Sequence, residues 1–419
     1  MNQLLRPKLT IPPQLSVSES GSFARYTFTH RVPAIIHQVI AENNYDDSIV
    51  NQLEALAQNL LQEQVCSLDN DGGTDLAAWT EYIAPHKAKY WLDAPFYFIE
   101  SYFYRRLLQI TAYFSLKPEQ KIDPFELQKR LDLVKSMKLV RLEVQQHRQS
   151  LSDSADKQDP SWQQTLMNLL YLNLWGNRAD LSLKPTRAGD FNHEQMSTQP
   201  QTESIILNDA AQVVNYLSQG NQQRIDFIVD NAGWELISDL LLVDFLLASN
   251  AVNVVHLHLK GHPIFVSDAM IKDVEETIDL LAKDQETAVR EFATSLQNHL
   301  ASGRLILQDH PFWTSPLFFW SIPQELRSHF AQSSLVFIKG DANYRRLVGD
   351  CHWAKTAVFS DICCYFPTSL VTLRTLKSEV IVGLEENQIK QLDCEDSQWL
   401  TNGTKGLIQF WEIQPFSVE

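Results

Sequence analysis

From about residue 204 onward, short apolar runs alternate with longer amphipathic stretches, and this alternation limits the possible folds more than any other feature of the sequence. Helices are predicted at Trp234–Ser249 and Ile271–Leu300. Strands are predicted at Ile225–Val229, Val252–Leu259, Arg304–Leu307, Leu335–Ile338 and Glu379–Val382, with a short extended piece at Pro263–Val266. Strands that alternate with helices pair in parallel and are covered on both faces. The pattern therefore predicts a three-layer α/β/α fold with a mostly parallel, doubly wound sheet.

The preceding part of the chain has a helical pattern. Apolar residues recur at three- and four-residue spacing within Ile35–Ile40, Ile49–Leu61, Phe96–Phe114, Phe125–His147 and Trp162–Leu183, as in helices that bury one face. Polar stretches near 149–160 and 184–203 are predicted to be surface loops. We therefore expect a mainly helical N-terminal subdomain at 1–200 and an α/β domain that binds metal and phosphate at 201–419.

Charge and cysteine usage narrow the class of protein. The 419 residues carry 35 Lys+Arg against 51 Asp+Glu, a net charge of −16, which disfavours binding to nucleic acid or to an anionic membrane. The apolar run Leu240–Ala248 contains Asp244 and is too short to span a bilayer. The five cysteines include no C-x-x-C pair, and the N-terminal segment has no apolar signal region. We expect a cytoplasmic protein with no nucleic-acid or membrane partner.

Hard oxygen ligands follow two of the predicted extended segments. Asp230 and Asn231 come directly after Ile225–Val229, and Asp268 follows Pro263–Val266. Ligands of an open α/β sheet bind at the carboxyl ends of its strands. Oxygen-only sites suit Mg²⁺ or Mn²⁺ better than zinc, and three protein ligands leave positions for water and a substrate oxygen. The sequence therefore predicts a divalent-metal site formed by these three residues.

Cations and a further acid stand near the remaining strand ends. Asp341 and Arg345 follow Leu335–Ile338, and Lys377 precedes the last predicted strand. Arg345 could hold phosphate by a bidentate fork and Lys377 as a point charge. Asp341 could accept or donate a proton, or orient an attacking water. This combination favours metal-assisted chemistry on a phosphate.

Structural interpretations compete for each of these residues. An Asp-Asn pair after a strand often forms a turn or caps a helix, and Asp268 could cap the helix that begins near Ile271. The stretch Lys339–Arg346 could be a solvated loop. Only the combination of these residues at several strand ends favours a functional site.

Other motifs are absent or weak. The sequence has no P-loop, no G-x-G-x-x-G and no G-x-S-x-G. His256 and His258 share one face of a predicted strand and, with His262, suggest zinc. Neither a cysteine nor a carboxylate follows at ligand spacing, so we interpret them as core or rim histidines.

Four segments resemble signatures of the damage-control phosphatase family. They are Val229–Leu236, Phe265–Asp268, the D-x-N-Y-R loop within Lys339–Leu347, and Arg374–Lys377. The last matches the RTxK motif of the acidic-residue methyltransferase-like branch. The likeness extends, in order, over nearly the whole chain. It includes Arg31-Val32-Pro33 and the aromatic segment that carries Glu100 and Arg105.

The resemblance implies an α/β/α domain with a helical N-terminal subdomain and metal-dependent hydrolysis of phosphate esters. Mn²⁺, Ni²⁺, Co²⁺ or Mg²⁺ would be the activating ion, and the substrate a small phosphorylated metabolite such as fructose 1-phosphate or fructose 6-phosphate. It assigns Asp230, Asn231 and Asp268 to the metal. Substrate contacts are assigned to Asp230, Asn231, Asp341, Ala342, Asn343, Tyr344, Arg345 and Lys377. Glu100 and Arg105 are open to a functional or a structural role.

Two other functions stay open on the sequence. One is an S-adenosylmethionine-dependent protein carboxyl methyltransferase, an activity attached to a branch of the same family, although the chain lacks the glycine-rich turn and following acid that usually bind the nucleoside. The other is a protein that binds a sugar phosphate without hydrolysing it. For a phosphatase, we expect Asp341 to transfer the proton. An aspartyl-phosphate at Asp230 is disfavoured because the position two residues on is Ala232.

Overall fold

Seven strands form one sheet in the computed structural model, which describes residues 5–115, 121–153, 157–176, 202–219 and 222–413. The strands are β1 (Ile205–Asn208), β2 (Gln222–Ile228), β3 (Val252–Leu259), β4 (Leu305–Asp309), β5 (Leu335–Lys339), β6 (Leu370–Thr375) and β7 (Gly406–Trp411). Their order across the sheet is β1-β7-β6-β5-β2-β3-β4. Strands β2 to β6 pair in parallel. Strand β7 runs antiparallel to β6, and β1 runs parallel to β7.

Fifteen α-helices accompany the sheet in the described residues. Those before the sheet are α1 (Phe23–Tyr26), α2 (Val32–Glu42), α3 (Asp47–Asn59), α4 (Leu76–Ile83), α5 (Phe96–Ile110), α6 (Glu126–Asp153) and α7 (Pro160–Gly176). Those between the strands are α8 (Ala210–Ser218), α9 (Trp234–Ala248), α10 (Ile271–Ala282), α11 (Thr287–Ala301), α12 (Gln324–Phe330), α13 (Gly340–Val348), α14 (Phe359–Cys363) and α15 (Glu386–Glu395). A π-helical turn, Thr27–Arg31, joins α1 to α2.

The sheet has a hydrophobic core on each face. Along β5, Val336 and Ile338 pack into one core, whereas Leu335 and Phe337 pack into the other. Successive side chains of a strand point to opposite faces, so the inner strands are apolar throughout. Helices α2–α5 contribute to the first core, and α6, α7, α9, α10 and α11 to the second. The predicted three-layer α/β fold is confirmed.

The helical character expected for the first part of the chain is observed, but those helices cover both faces of the sheet. Helices α6 and α7 pack on α9 and share a core with β2 and β5. The boundary at residue 200 stays a prediction. The expected loop at 184–203 falls almost wholly outside the described residues. The other predicted loop, near 149–160, is helical at its beginning, because α6 continues to Asp153.

Four predicted elements were wrong. Glu379–Val382 is not a strand, and the strand that precedes it, β6, was missed. Pro263–Val266 is a turn, in which Phe265 and Val266 have φ of 50° and 68°. The predicted helix Ile271–Leu300 is two helices, α10 and α11. The D-x-N-Y-R loop is the start of helix α13, and the possibility that Lys339–Arg346 is solvated fails because this stretch is largely buried.

The connectivity of the central strands fixes the position of the site. From β2 the chain moves outward through β3 to β4, and then returns to place β5 on the other side of β2. The carboxyl ends of β2 and β5 therefore flank the point at which strand order reverses. Such switch points open a crevice in which α/β proteins bind ligands.

Candidate metal- and phosphate-binding site

A cleft lies at the carboxyl ends of β2 and β5. Its lining residues come from both ends of the chain: Phe23, Arg31, Glu100, Asp230, Asn231, Phe265, Asp268, Asp341, Ala342, Arg345 and Lys377. Asp230 and Asn231 follow β2, and Asp341 and Ala342 lie in the first turn of α13, directly after β5. The structure thus brings together seven of the nine residues assigned from the sequence.

Asp268 reaches the cleft through a strained turn. A positive φ is rare for a β-branched residue such as Val266 and persists only where the surroundings impose it. Here the backbone of Asn231 pairs with that of Asp268, and the Ala232 N–H donates to Ser267 O at 2.7 Å. The turn is therefore held against the end of β2, which sets Asp268 beside Asn231.

Asn231 is fixed by hydrogen bonds at both ends of its amide. Its Nδ2 donates to Asp230 Oδ2 at 2.9 Å and to Glu235 Oε2 at 2.8 Å, and Ser267 Oγ donates to its Oδ1 at 2.6 Å. Glu235 in turn accepts from Lys339 Nζ at 2.9 Å. The amide is consequently held in one orientation beside Asp230.

Gly340 allows Asp230 to lie against the start of α13. Gly340 has φ of +80°, and a Cβ there would stand 1.8 Å from Asp230 Oδ2. No larger residue would leave the carboxylate in place. The first peptide N–H groups of a helix have no partner within the helix and attract anions. The absence of a side chain at position 340 therefore lets the Asp230 carboxylate lie directly against the first turn of α13.

The donor set fits a hard divalent cation. Asp230, Asn231 and Asp268 are each at least 96% buried, with exposed fractions of 3%, 4% and 1%. Asp268 Oδ2 lies 3.2 Å from Lys260 Nζ, so this carboxylate already binds a cation. Carboxylate and amide oxygens are the ligands that Mg²⁺ and Mn²⁺ prefer. The residues present thus suit the ion that the sequence predicted.

Asp341 is held as a carboxylate. Its Oδ1 accepts from Arg374 Nε at 2.8 Å, from the Lys377 N–H at 3.1 Å and from Ser378 Oγ at 3.2 Å. Burial alone would raise the pKa of Asp341, but the charges of Arg374 and Arg345 outweigh it and place the pKa below its usual value. Asp341 is therefore ionised, so it can bind a cation or accept a proton but carries no proton to donate.

Arg345 has different partners from those expected. Its Nε and Nη2 form a bidentate pair with Asp350 at 2.8 and 3.0 Å, and its Nη1 donates to Glu100 Oε2 at 2.8 Å. The guanidinium also stacks on Phe96, with 4.4 Å to the ring centroid. The fork predicted to hold phosphate is thus engaged with Asp350, and Arg345 joins the cleft wall to helix α5.

Two further cations line the cleft. Lys377, just after β6, is 3% exposed. Arg31 belongs to the π-helical turn before α2 and is 6% exposed. Sequence reasoning did not assign Arg31 to the site. The family resemblance included Arg31 within Arg31-Val32-Pro33, but gave it no role, and no spacing rule connects it to residues about 200 positions later.

Asn343 and Tyr344 do not line the cleft. Asn343 Nδ2 donates to Lys339 O at 2.9 Å and to Val229 O at 3.3 Å, which joins the ends of β5 and β2. The Tyr344 hydroxyl donates to Gln409 Oε1 at 3.0 Å within the core. In this structure, both residues brace helix α13.

The two residues of α5 that the sequence left open have different places. Glu100 lines the cleft and pairs with Arg345. Arg105 lies outside it and forms ion pairs with Asp71 and Asp75 at 2.7 and 2.8 Å. Glu100 is therefore part of the site, whereas Arg105 is structural.

Fold and site together define an α/β protein with a buried oxygen-rich centre, faced by cations, at the switch point of a doubly wound sheet. The family model described as "Damage-control phosphatase ARMT1-like domain" matches residues 27–392. The chain therefore belongs to the ARMT1-like damage-control phosphatase family.

Curated relatives match over almost the full length. The protein named "Damage-control phosphatase ARMT1" from Danio rerio is 30% identical and covers 96% of this chain and 97% of its own. The Homo sapiens protein of the same name is 28% identical over 96% of this chain and 98% of its own. Among solved structures, a DUF89 family protein from Pyrococcus horikoshii aligns with a TM-score of 0.48 and 14% identity, covering 92% of this chain and 96% of that one. No helix in the described ranges is long and apolar enough to cross a bilayer.

Proposed function

We propose that this chain is a divalent-metal-dependent phosphatase that hydrolyses sugar monophosphates such as fructose 1-phosphate or fructose 6-phosphate. One observation carries the proposal: the buried oxygens of Asp230, Asn231 and Asp268 share one cleft with Lys377 and Arg31. A site for a cation next to a site for an anion is what a metal-assisted phosphatase needs. Membership of the damage-control phosphatase family supports the same reaction class.

Asp230, Asn231 and Asp268 would hold the ion, with Mn²⁺, Ni²⁺, Co²⁺ or Mg²⁺ as candidates. When bound, such an ion acts as a Lewis acid on a phosphoryl oxygen and makes bound water more acidic. The protein's contribution is a fixed geometry: Asn231 is oriented by Ser267 and Glu235. Ligands held in this way lose little entropy when the ion binds.

The phosphoryl group would lie between the ion and the start of α13. Lys377 supplies a point charge, and the peptide N–H of Ala342 belongs to the helix turn that faces the cleft. Arg31 adds a second charge from the N-terminal helices. Arg345 adds positive potential while its fork remains with Asp350. Together these groups would stabilise the charge that develops on the phosphoryl oxygens.

Asp341 is the proposed proton acceptor. Its depressed pKa keeps it ionised, so it can orient an attacking water and receive its proton. We propose bracing roles for Asn343 and Tyr344, in agreement with their hydrogen bonds. A direct attack by Asp230 is disfavoured because Ala232, two residues on, provides no acid for the leaving group.

The test is phosphate release from a panel of sugar monophosphates. We expect release that stops in EDTA and returns with Mn²⁺ or Co²⁺. Labelled S-adenosylmethionine in the same preparation should transfer no methyl group above background. Methyl transfer without phosphate release would establish the methyltransferase alternative, and tight sugar-phosphate binding without turnover would establish a binding protein. A cytoplasmic location remains a prediction from composition.

A further inference from the structure

A second cluster of ligating side chains lies around β2, the strand that precedes Asp230 and Asn231, and the proposed reaction does not use it. Asp226 of β2 is fully buried and stands four residues before Asp230. His258 of the adjacent strand β3 and His329 of α12 face it. Asp226 precedes His258 by 32 residues, so the spacing of His256, His258 and His262 in the sequence does not reveal this carboxylate.

The ligand atoms of this cluster converge on one point. Asp226 Oδ1 lies 2.7 Å from His258 Nε2 and 3.2 Å from His329 Nε2. The amide nitrogen of Gln308, on β4, lies 3.1 Å from His258 Nε2 and 3.0 Å from His329 Nε2. Tetrahedral ligands about 2.0–2.1 Å from an ion are separated by about 3.3 Å. The observed separations are close to this size.

Three donors converge on one oxygen of the cluster. Asp226 Oδ1 faces both imidazole Nε2 atoms and also accepts from Arg224 Nη2 at 2.9 Å. The Gln308 amide nitrogen lies near both ring nitrogens of His258, 3.2 Å from Nδ1 and 3.1 Å from Nε2. A cation bound through the imidazole lone pairs would take the place of the protons that lie between these rings and Asp226.

We propose that Asp226, His258 and His329 form a second metal site, selective for a transition ion such as Zn²⁺ or Co²⁺, with Gln308 or water as a fourth ligand. Two imidazoles and one carboxylate suit zinc and cobalt far better than Mg²⁺. Arg224 holds the other carboxylate oxygen at 2.8 Å and orients the ligand.

The site has an entry path and a structural consequence. His329 is about a quarter exposed, whereas Asp226 and His258 are buried, so an ion can enter from the side of α12. A bound ion would join β2, β3 and α12. Because β2 also delivers Asp230 and Asn231 to the cleft, the second ion would stabilise the strand that carries the catalytic site.

The other acidic cluster does not qualify. Asp123, Glu126 and Asp273 approach one another closely, but Lys129 and Lys272 already lie among them. Two ammonium groups largely balance the three carboxylates there. In the Asp226 cluster, by contrast, the two imidazoles supply neutral lone pairs.

The test is metal content and Co²⁺ spectroscopy of the full chain, dialysed against Zn²⁺ or Co²⁺ in excess Mg²⁺. We expect the wild type to retain an ion whose Co²⁺ form shows the visible absorption of nitrogen ligands. His329→Ala and His329→Gln should each hold one ion fewer per chain and lose that absorption. Zn²⁺ should raise the melting temperature of the wild type but not of these variants.

Two controls complete the design. His352→Ala removes an exposed histidine that pairs with Glu19, and it should behave as wild type. Asp268→Asn disrupts the oxygen-rich cleft and should keep the Co²⁺ absorption. Equal metal content in His329→Ala and wild type would overturn the proposal. So would failure of the wild type to retain Zn²⁺ or Co²⁺ against Mg²⁺, or loss of the Co²⁺ absorption in Asp268→Asn alone.

Discussion

Replacing Gly340 with alanine should displace a proposed metal ligand, Asp230, although no ligand residue is itself substituted. The added Cβ would stand 1.8 Å from Asp230 Oδ2, 2.1 Å from Cγ and 2.7 Å from Cβ. Ordinary contact needs about 3.4 Å, so the Asp230 carboxylate must move by about 1.5 Å. Metal–oxygen bonds of about 2.0–2.6 Å do not survive such a shift. We expect the affinity for Mn²⁺ to fall by about 100-fold or more.

The cost in stability has two parts. Alanine at a positive φ costs about 1–2 kcal/mol, and forcing a buried neighbour aside costs about 1–3 kcal/mol more. Gly403→Ala is the matched control, because Gly403 has φ of +74° and nothing within 4 Å of the position of a Cβ. Gly403→Ala should lose only the stability that alanine at a positive φ costs, and it should bind Mn²⁺ as the wild type does.

Calorimetric Mn²⁺ titration and chemical denaturation of both variants measure these quantities on the same samples. The expected result for Gly340→Ala is a folded chain, destabilised by about 2–5 kcal/mol, with little Mn²⁺ binding. Wild-type Mn²⁺ affinity in folded Gly340→Ala would refute the reasoning. It would mean either that the new Cβ does not displace Asp230 or that Asp230 does not bind the ion.

Three other substitutions separate binding, stability and pH dependence. Lys377→Met should lower kcat/KM by about one to two decades while leaving Mn²⁺ affinity nearly intact, because a charge-assisted contact is worth about 1.5–3 kcal/mol; steady-state kinetics with wild-type values would remove its phosphate role. Arg345→Met leaves Glu100 and Asp350 buried without their cation, so denaturation should show a loss of about 3–5 kcal/mol, and an unchanged melting temperature would contradict the pairing. Burial raises the pKa of Glu143 to about 7, so the stability that its protonated form contributes is complete below pH about 4.5 and lost as pH rises through about 7. Glu143→Gln should therefore be more stable than wild type at pH 8, by roughly 1–3 kcal/mol, and equal to it near pH 4; parallel stability curves from pH 4 to 8 would show that Glu143 keeps its ordinary pKa.

The inner strands could be predicted because both of their faces are buried. Strand β3 has the predicted bounds, and β5 extends the prediction by one residue. Strand β6 was missed because it carries Thr372 and Arg374, which are polar yet fully buried. Arg374 is tolerated there since it pairs with Asp341, and that partner lies 33 residues away. A local pattern cannot show such a compensation.

Long-range partners also explain the broken helix between α10 and α11. Asp284 accepts from the Glu286 N–H at 2.9 Å in the turn that separates the two helices. Arg141 of α6 holds the same carboxylate at 2.8 Å. The apolar periodicity continues across this point, which is why the sequence predicted one helix.

The cleft residues were predicted from expected strand ends, and those strands were only partly correct. Asp230 follows a strand as expected, whereas Asp268 follows a turn and the strand expected after Lys377 does not exist. Arg31 arrives from the first helices, and its distance in sequence hides it. The Asp350 partner of Arg345 is only five residues on, so the ion pair that engages the fork could have been suspected from the sequence.

The central claim is that Asp230, Asn231 and Asp268 bind the ion on which catalysis depends. Mn²⁺ titration of the folded Asp268→Asn chain tests it most directly, because Mn²⁺ favours oxygen ligands and binds imidazole sites weakly. Circular dichroism on the same sample establishes that the variant is folded. The account predicts that wild type binds Mn²⁺ and that Asp268→Asn binds it at least about 100-fold more weakly. Unchanged Mn²⁺ affinity in the folded variant would contradict the account.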